Sequence, residues 1–217
     1  MGIKNRTILR RLRAYPVEKS LGPMLAITVF FLAYFHVLER PTVTSHLMPV
    51  LSIDQWMPLI PWTAWVYFSL WGFICVPLSF MENRRVMLFY LSGALALSII
   101  GLSVFFFYPT VVPAWEIDWS HYPSLQFLKN SDRAGNACPS LHVGFAMFSG
   151  CWLVWLIRQM RLPMFWLILS FVWGLAIMVS TMTTKQHVFV DVFCGLVLGG
   201  LVFWINALFV KKARLEI

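Results

Sequence analysis

Two stretches of this sequence hold residues of the types and spacings that handle phosphate and protons. The first is Asn136-Ala137-Cys138-Pro139-Ser140-Leu141-His142. Proline suits the first position of a helix, where a missing N–H costs nothing, so Pro139 is expected to open one. The free N–H groups and dipole of a helix start favour an anion. Ser140 adds a hydroxyl there and His142 a titratable ring. A polar cap with an interfacial histidine is the structural alternative. The second stretch is Ser180-Thr181-Met182-Thr183-Thr184-Lys185-Gln186-His187-Val188-Phe189-Val190-Asp191. His187 and Asp191 are four apart and share a face if both are helical. Asp191 can then accept from one ring nitrogen, leaving the other unprotonated and aimed outward as a nucleophile. An aspartate in an apolar helix requires a partner. Lys185, two residues before the histidine, can hold an anion beside it. A structural His–Asp pair tying helices together is the alternative here.

The elements that must position these groups are apolar. The chain has 217 residues, of which 59% are hydrophobic and only 12% charged. A soluble domain of this size cannot hide so much apolar surface, and the same composition excludes disorder. A membrane crossing takes roughly 20 apolar residues. Six stretches qualify, near residues 21–38, 60–80, 86–108, 140–157, 164–181 and 187–209. They are long and continuous, unlike the short alternating strands of a barrel. The expected fold is therefore an all-α polytopic membrane protein with six transmembrane helices in a single membrane domain. Residues 1–20 form a basic cytoplasmic segment, 109–138 an extracytoplasmic loop, and 139–209 the catalytic spans four to six.

Charge fixes the orientation. With both termini in the cytoplasm, 13 of the 17 basic residues fall inside, as the positive-inside rule asks. They are Lys4, Arg6, Arg10, Arg11, Arg13, Lys19, Arg84, Arg85, Arg158, Arg161, Lys211, Lys212 and Arg214. Only Arg40, Lys129, Arg133 and Lys185 are left for the other face, where all five histidines also fall. The net charge of +8 thus reads as topology and attraction to anionic headgroups, not as nucleic-acid binding. Both chemical stretches lie at the non-cytoplasmic face. The basic N-terminus resembles a signal peptide, but the apolar run is too long and residues 35–40 offer no small-residue cleavage site, so an uncleaved first span is expected. Arg6 excludes a myristoylation signal. Cys75, Cys151 and Cys194 sit in spans and Cys138 in a loop; they read as small packing residues, not a disulfide framework. There is no zinc-type spacing, P-loop, GxGxxG or internal repeat.

The two stretches together resemble the type 2 phosphatidic acid phosphatase family, whose fold is shared with vanadium haloperoxidases. Pro139-Ser140-Leu141-His142 matches the family's P-S-x-H motif. Ser180, His187 and Asp191 match S-R-x5-H-x3-D in residue and spacing. The resemblance covers roughly the C-terminal two thirds of the chain. It implies that His187 attacks phosphorus and becomes a phosphohistidine, that Asp191 orients it, and that His142 protonates the leaving oxygen. Ser140 and nearby N–H groups would bind the phosphoryl oxygens, with no metal or other cofactor. The implied partner is a phosphorylated membrane lipid that reaches the site laterally in the bilayer. The compact chain looks bacterial, which places it in an inner membrane with the site facing the periplasm.

Two departures matter. The arginine of the third motif is Thr181 here, and the K-x6-R-P first motif is absent. Lys185, then Arg133, then Lys129 are the candidate cations in its place. Tyr108-Pro109-Thr110-Val111-Val112-Pro113-Ala114-Trp115-Glu116 is similar to a region of the inositol phosphorylceramide synthase branch, which also lacks the first motif. That similarity keeps phosphotransfer to an alcohol open beside hydrolysis. A non-catalytic lipid-binding scaffold is a third reading. His36, His46 and Asp54-Gln55-Trp56 read as interfacial. The loop over 109–138 is too long for a simple connection, and its Trp115, Trp119 and Tyr122 form an interfacial belt or cover the site.

Overall fold

The computed structural model describes residues 3–40, 43–123, 125, 126, 128 and 135–213. Short helix α1 (Ile3–Arg13) leads into α2 (Pro16–Glu39). Three short helices follow the first loop closely: α4 (Thr63–Phe68), α5 (Leu70–Phe73) and α6 (Cys75–Ser79), preceded by α3 (Ser52–Trp56). Four long helices complete the chain: α7 (Arg84–Phe107), α8 (Leu141–Gln159), α9 (Met164–Thr183) and α10 (Phe189–Lys212). The chain is an all-α polytopic membrane protein, and among the described residues five helices (α2 and α7 to α10) are long and apolar enough to cross a bilayer.

The second expected span differs. Residues 63–79 hold only 17 helical and linking positions, about 26 Å at 1.5 Å per residue, against a hydrocarbon core of about 30 Å. Its interruptions have local causes. The Ser69 hydroxyl donates to the Val66 carbonyl at 2.6 Å, and such back-bonding competes with the helical ladder. Pro77 has no N–H to give the carbonyl of Phe73.

Helix direction gives the molecule two chemically distinct ends. At one end Arg10 and Arg11 pair with Glu82 at 3.0 and 3.3 Å, and Arg84 pairs with Glu18 at 2.6 Å. Lys19 adds a bond to the Ser79 carbonyl. At the other end α8 begins, α9 ends and α10 begins. There a two-residue parallel ladder joins β1 (His46–Leu47) to β2 (Thr110–Val111), and Val111 bridges to Gly135. These pairings tie the loops after α2, α7 and before α8 into one platform.

Small residues hold the working helices together. Gly195 and Gly199, four apart on α10, meet α8 at its backbone: a methyl on either would collide with the Ser140 or the Gly144 carbonyl. Such spacing lets membrane helices approach closely. Asn206 of α10 donates to the Phe89 carbonyl of α7 at 2.8 Å. Phe73, Leu97, Phe148 and Trp152 fill the buried centre between α5, α7 and α8.

Candidate active site

The loop between α9 and α10 is built backwards from Thr181. Its carbonyl accepts the N–H groups of both Gln186 and His187, at 3.0 and 3.1 Å, and Lys185 takes the left-handed backbone conformation (φ 57°) that closes the turn. The Thr181 hydroxyl meanwhile donates to the Met178 carbonyl at 2.7 Å. The side chain standing where the family motif has arginine therefore turns back along its own helix.

His187 lies one residue before the N-cap, Val188, and not on the helix as the spacing suggested. Asp191 still reaches it, because Asp191 occupies the third position of α10. One carboxylate oxygen accepts the Val188 N–H at 3.0 Å and lies 3.4 Å from Nδ1 of His187. Asp191 is fully buried and His187 is 6% exposed, so the ring is held from behind by a helix-capping acid. On α8 the true cap is Ser140, with Pro139 outside the helix and Leu141 its first residue, two residues later than proline preference suggested. The Ser140 hydroxyl accepts from Val143 at 3.4 Å, and its N–H donates to the Asp191 carbonyl at 3.0 Å. This last bond stitches the two chemical stretches together.

The α8 approach places His142 opposite His187, with ring centroids 6.5 Å apart. Tyr67 stacks on His142 at 4.0 Å, and its hydroxyl is 3.1 Å from Nδ1. The other nitrogen, Nε2, is buried with no partner among the described residues, as are both side-chain polar atoms of Gln186 and one oxygen of Asp191. Buried polar groups normally find partners, so these mark a place prepared for a polar ligand.

Lys185 is buried beside this centre. Its ammonium donates to the Met57 and Asp54 carbonyls at 2.6 and 3.1 Å and sits 4.2 Å from the Trp115 ring. Burial draws its proton affinity below the usual lysine range, and the Asp54 carboxylate opposes that shift. Arg133 and Lys129, the other two expected cations, lie outside the described residues. Cys138 is half-buried near Cys194; desolvation, then that thiol, then Asp191 hold it well above the ordinary thiol range, which suits a packing role.

Sequence reasoning missed Asp54 and Tyr67. Asp54 is 2% exposed, not interfacial. Its carboxylate accepts the Leu51 N–H at 2.8 Å and the Phe189 N–H at 2.7 Å, so it caps α10 from a distant loop. The signal was available: Asp54 is the only acid between Glu39 and Glu82, and a lone acid in apolar sequence needs a partner. Tyr67 had no such signal, since one aromatic among many reads as packing. His46 stacks on Tyr108 and His121 pairs with Asp118 at the surface; His36 is exposed on α2.

The sequence model of the PAP2 superfamily matches residues 84–215, more than half of the chain. The chain belongs to the PAP2 superfamily. Neither a curated protein nor a solved structure matches it. PAP2 proteins are phosphatases or related phosphotransferases, and their phospholipid-like substrates agree with the membrane-embedded helices of this member. The matched region begins at α7. It therefore includes His142, His187 and Asp191 but neither Tyr67 nor Asp54.

Proposed function

We propose that this PAP2 protein is a lipid phosphatase that hydrolyses a phosphomonoester or pyrophosphate at the non-cytoplasmic face of the membrane. The observation that carries the reading is the His142–His187 pair, facing each other with Asp191 behind one ring and Tyr67 behind the other. Phosphoryl transfer depends on positioning and on charge stabilisation, and the gap between the rings suits a phosphoryl group attacked from one side and released on the other.

In the first step Nε2 of His187 forms a bond to phosphorus. The bond from phosphorus to the lipid oxygen breaks, and His142, charged at the start of the step, gives its Nε2 proton to that oxygen and is left a neutral ring. Asp191 holds Nδ1–H of His187 and stabilises the positive ring. The Tyr67 oxygen accepts Nδ1–H of the charged His142 ring, which leaves the Nε2 proton for the lipid oxygen. In the second step water attacks the phosphohistidine, His142 takes its proton, and inorganic phosphate leaves with the P–N bond broken. Ser140, Gln186 and backbone N–H groups bind the equatorial oxygens. Lys185 supplies positive potential while bracing the loop, and Arg133 and Lys129 complete the cation set. The nucleophile is a ring nitrogen, so no metal-bound water is required.

Phosphate release from a panel of lipid phosphates by the detergent-purified protein tests this. Activity should survive a chelator and fall with vanadate, an analogue of the phosphoryl transition state. Loss of activity on chelation overturns the metal-free route. A new phosphodiester in place of free phosphate, when an alcohol acceptor is supplied, assigns the protein to phosphotransfer. A protein that binds these lipids yet turns over none is a scaffold.

A further inference from the structure

His142 of the pair borders an apolar cavity of about 290 Å³, whose titratable lining residues are His142, Tyr34 and Tyr67. Its walls include Phe31 and Tyr34 of α2, Tyr67 and Trp71 of the broken segment, and Phe145 of α8. A second cavity of about 480 Å³ continues it between α2 and α7, sharing Phe30, Trp71 and Phe145 with the first and ending near Gly22 and Leu78. From Phe35 to Gly22 the two line α2 over about 20 Å, at 1.5 Å per residue. One leaflet of hydrocarbon is about 15 Å deep. α2, Tyr67 and Trp71 all precede residue 84, where the family match begins.

We infer that this seam is the tail slot of the substrate lipid. One extended hydrocarbon chain lies along α2 with its phosphorylated end at His142. The inference rests on the lipid-phosphate reading above and adds where the tail goes and which residues choose it. The aromatic and aliphatic walls suit a chain and offer nothing to a charged group. His142, whose Nε2 is buried without a partner among the described residues, borders only the first of the two cavities, so a molecule filling the whole feature is polar at that end and largely apolar along the rest. In this reading α2, which precedes the family match, forms with the matched α7 the walls that select the tail.

Ala26 and Ala94 line the deep half, away from the site. Ala26→Trp and Ala94→Trp fill it without touching His142. With dioleoyl and dioctanoyl phosphatidic acid as probes, each variant should lose roughly tenfold or more in kcat/KM on the long tail, the equivalent of about two unburied methylenes. Turnover of the short tail should stay within about twofold of the parent. Equal loss on both, or no loss on either, overturns the slot. A second measurement needs no turnover: a phosphatidic acid with a photoreactive group at its chain end, in lipid nanodiscs, should label peptides around 22–30 and 91–95. Phosphatidylcholine carrying the same group should not concentrate there, and Ala26→Trp should abolish the labelling. Identical label maps for the two lipids overturn the slot. Absence of phosphate release from every lipid overturns the phosphatase reading instead, with the label map still deciding the slot.

Discussion

His142 and His187 are asked for opposite things, and their neighbours differ accordingly. His187 leans on a buried carboxylate, which favours a charged ring after attack; His142 leans on a neutral phenol. His187→Ala should therefore abolish phosphate release, while His142→Gln should lower it by about 10²–10⁴, the usual worth of general acid catalysis. Tyr67→Phe is a milder test of positioning. Loss of one hydrogen bond, about 1 kcal/mol, should lower kcat roughly fivefold and move the pH profile while leaving KM unchanged. Lys185 gives a pH prediction with a definite sign. Burial favours the neutral amine, so its charge is lost below the ordinary lysine value as pH rises. The alkaline fall of activity should begin below about pH 10.5, and Lys185→Arg should move that fall upward. At this scale the sequence was legible where a residue type is rare. His142, His187 and Asp191 stood out in an apolar chain, and their side chains meet. Tyr67 was hidden by the abundance of aromatics. Asp54 was visible but misjudged, because one of its two partners, Phe189, lies 135 residues away.

At the scale of elements, the site depends on how closely α8 and α10 approach. Gly199→Val would push its side chain into the Gly144 backbone, which has no flexible end to yield. Overpacking of this kind costs about 1–3 kcal/mol or more and should also separate Ser140 from Asp191. The variant should lose activity more steeply than thermal stability, read by phosphate release and by melting in detergent. Asp54→Ala should do the reverse in part. It strips the acceptor from two part-buried N–H groups, a loss of about 1 kcal/mol or more for each bond, so the melting temperature should fall clearly. Hydropathy located α2, α7, α8, α9 and α10 to within a few residues, because length and apolarity are local properties. It overestimated the second span, since a hydropathy average does not register a serine that bonds its own turn or a proline that breaks one. Pro139 and His187 show the same limit at helix ends, where capping by Ser140 and Asp191 set the boundary.

For the whole molecule, the charge count and the helix directions agree on two ends, one basic and one holding the His142–His187 pair. We propose that the basic end faces the cytoplasm. With the four native cysteines replaced, an impermeant maleimide should label Trp56→Cys in intact cells and Arg85→Cys only after the membrane is opened; both positions are exposed. The reverse pattern would invert the topology and put the chemistry in the cytoplasm. The seam between α8 and α10 has a further consequence, for synthesis. Acid and nucleophile sit on opposite sides of α9, and the glycines that seat α8 belong to α10, the last helix of the described chain. A nascent chain halted anywhere before residue 187 has an acid but no nucleophile and no stitch at Ser140. On the proposed mechanism the enzyme is therefore born inert: its chemistry switches on only when α10 enters the bilayer and closes against α8.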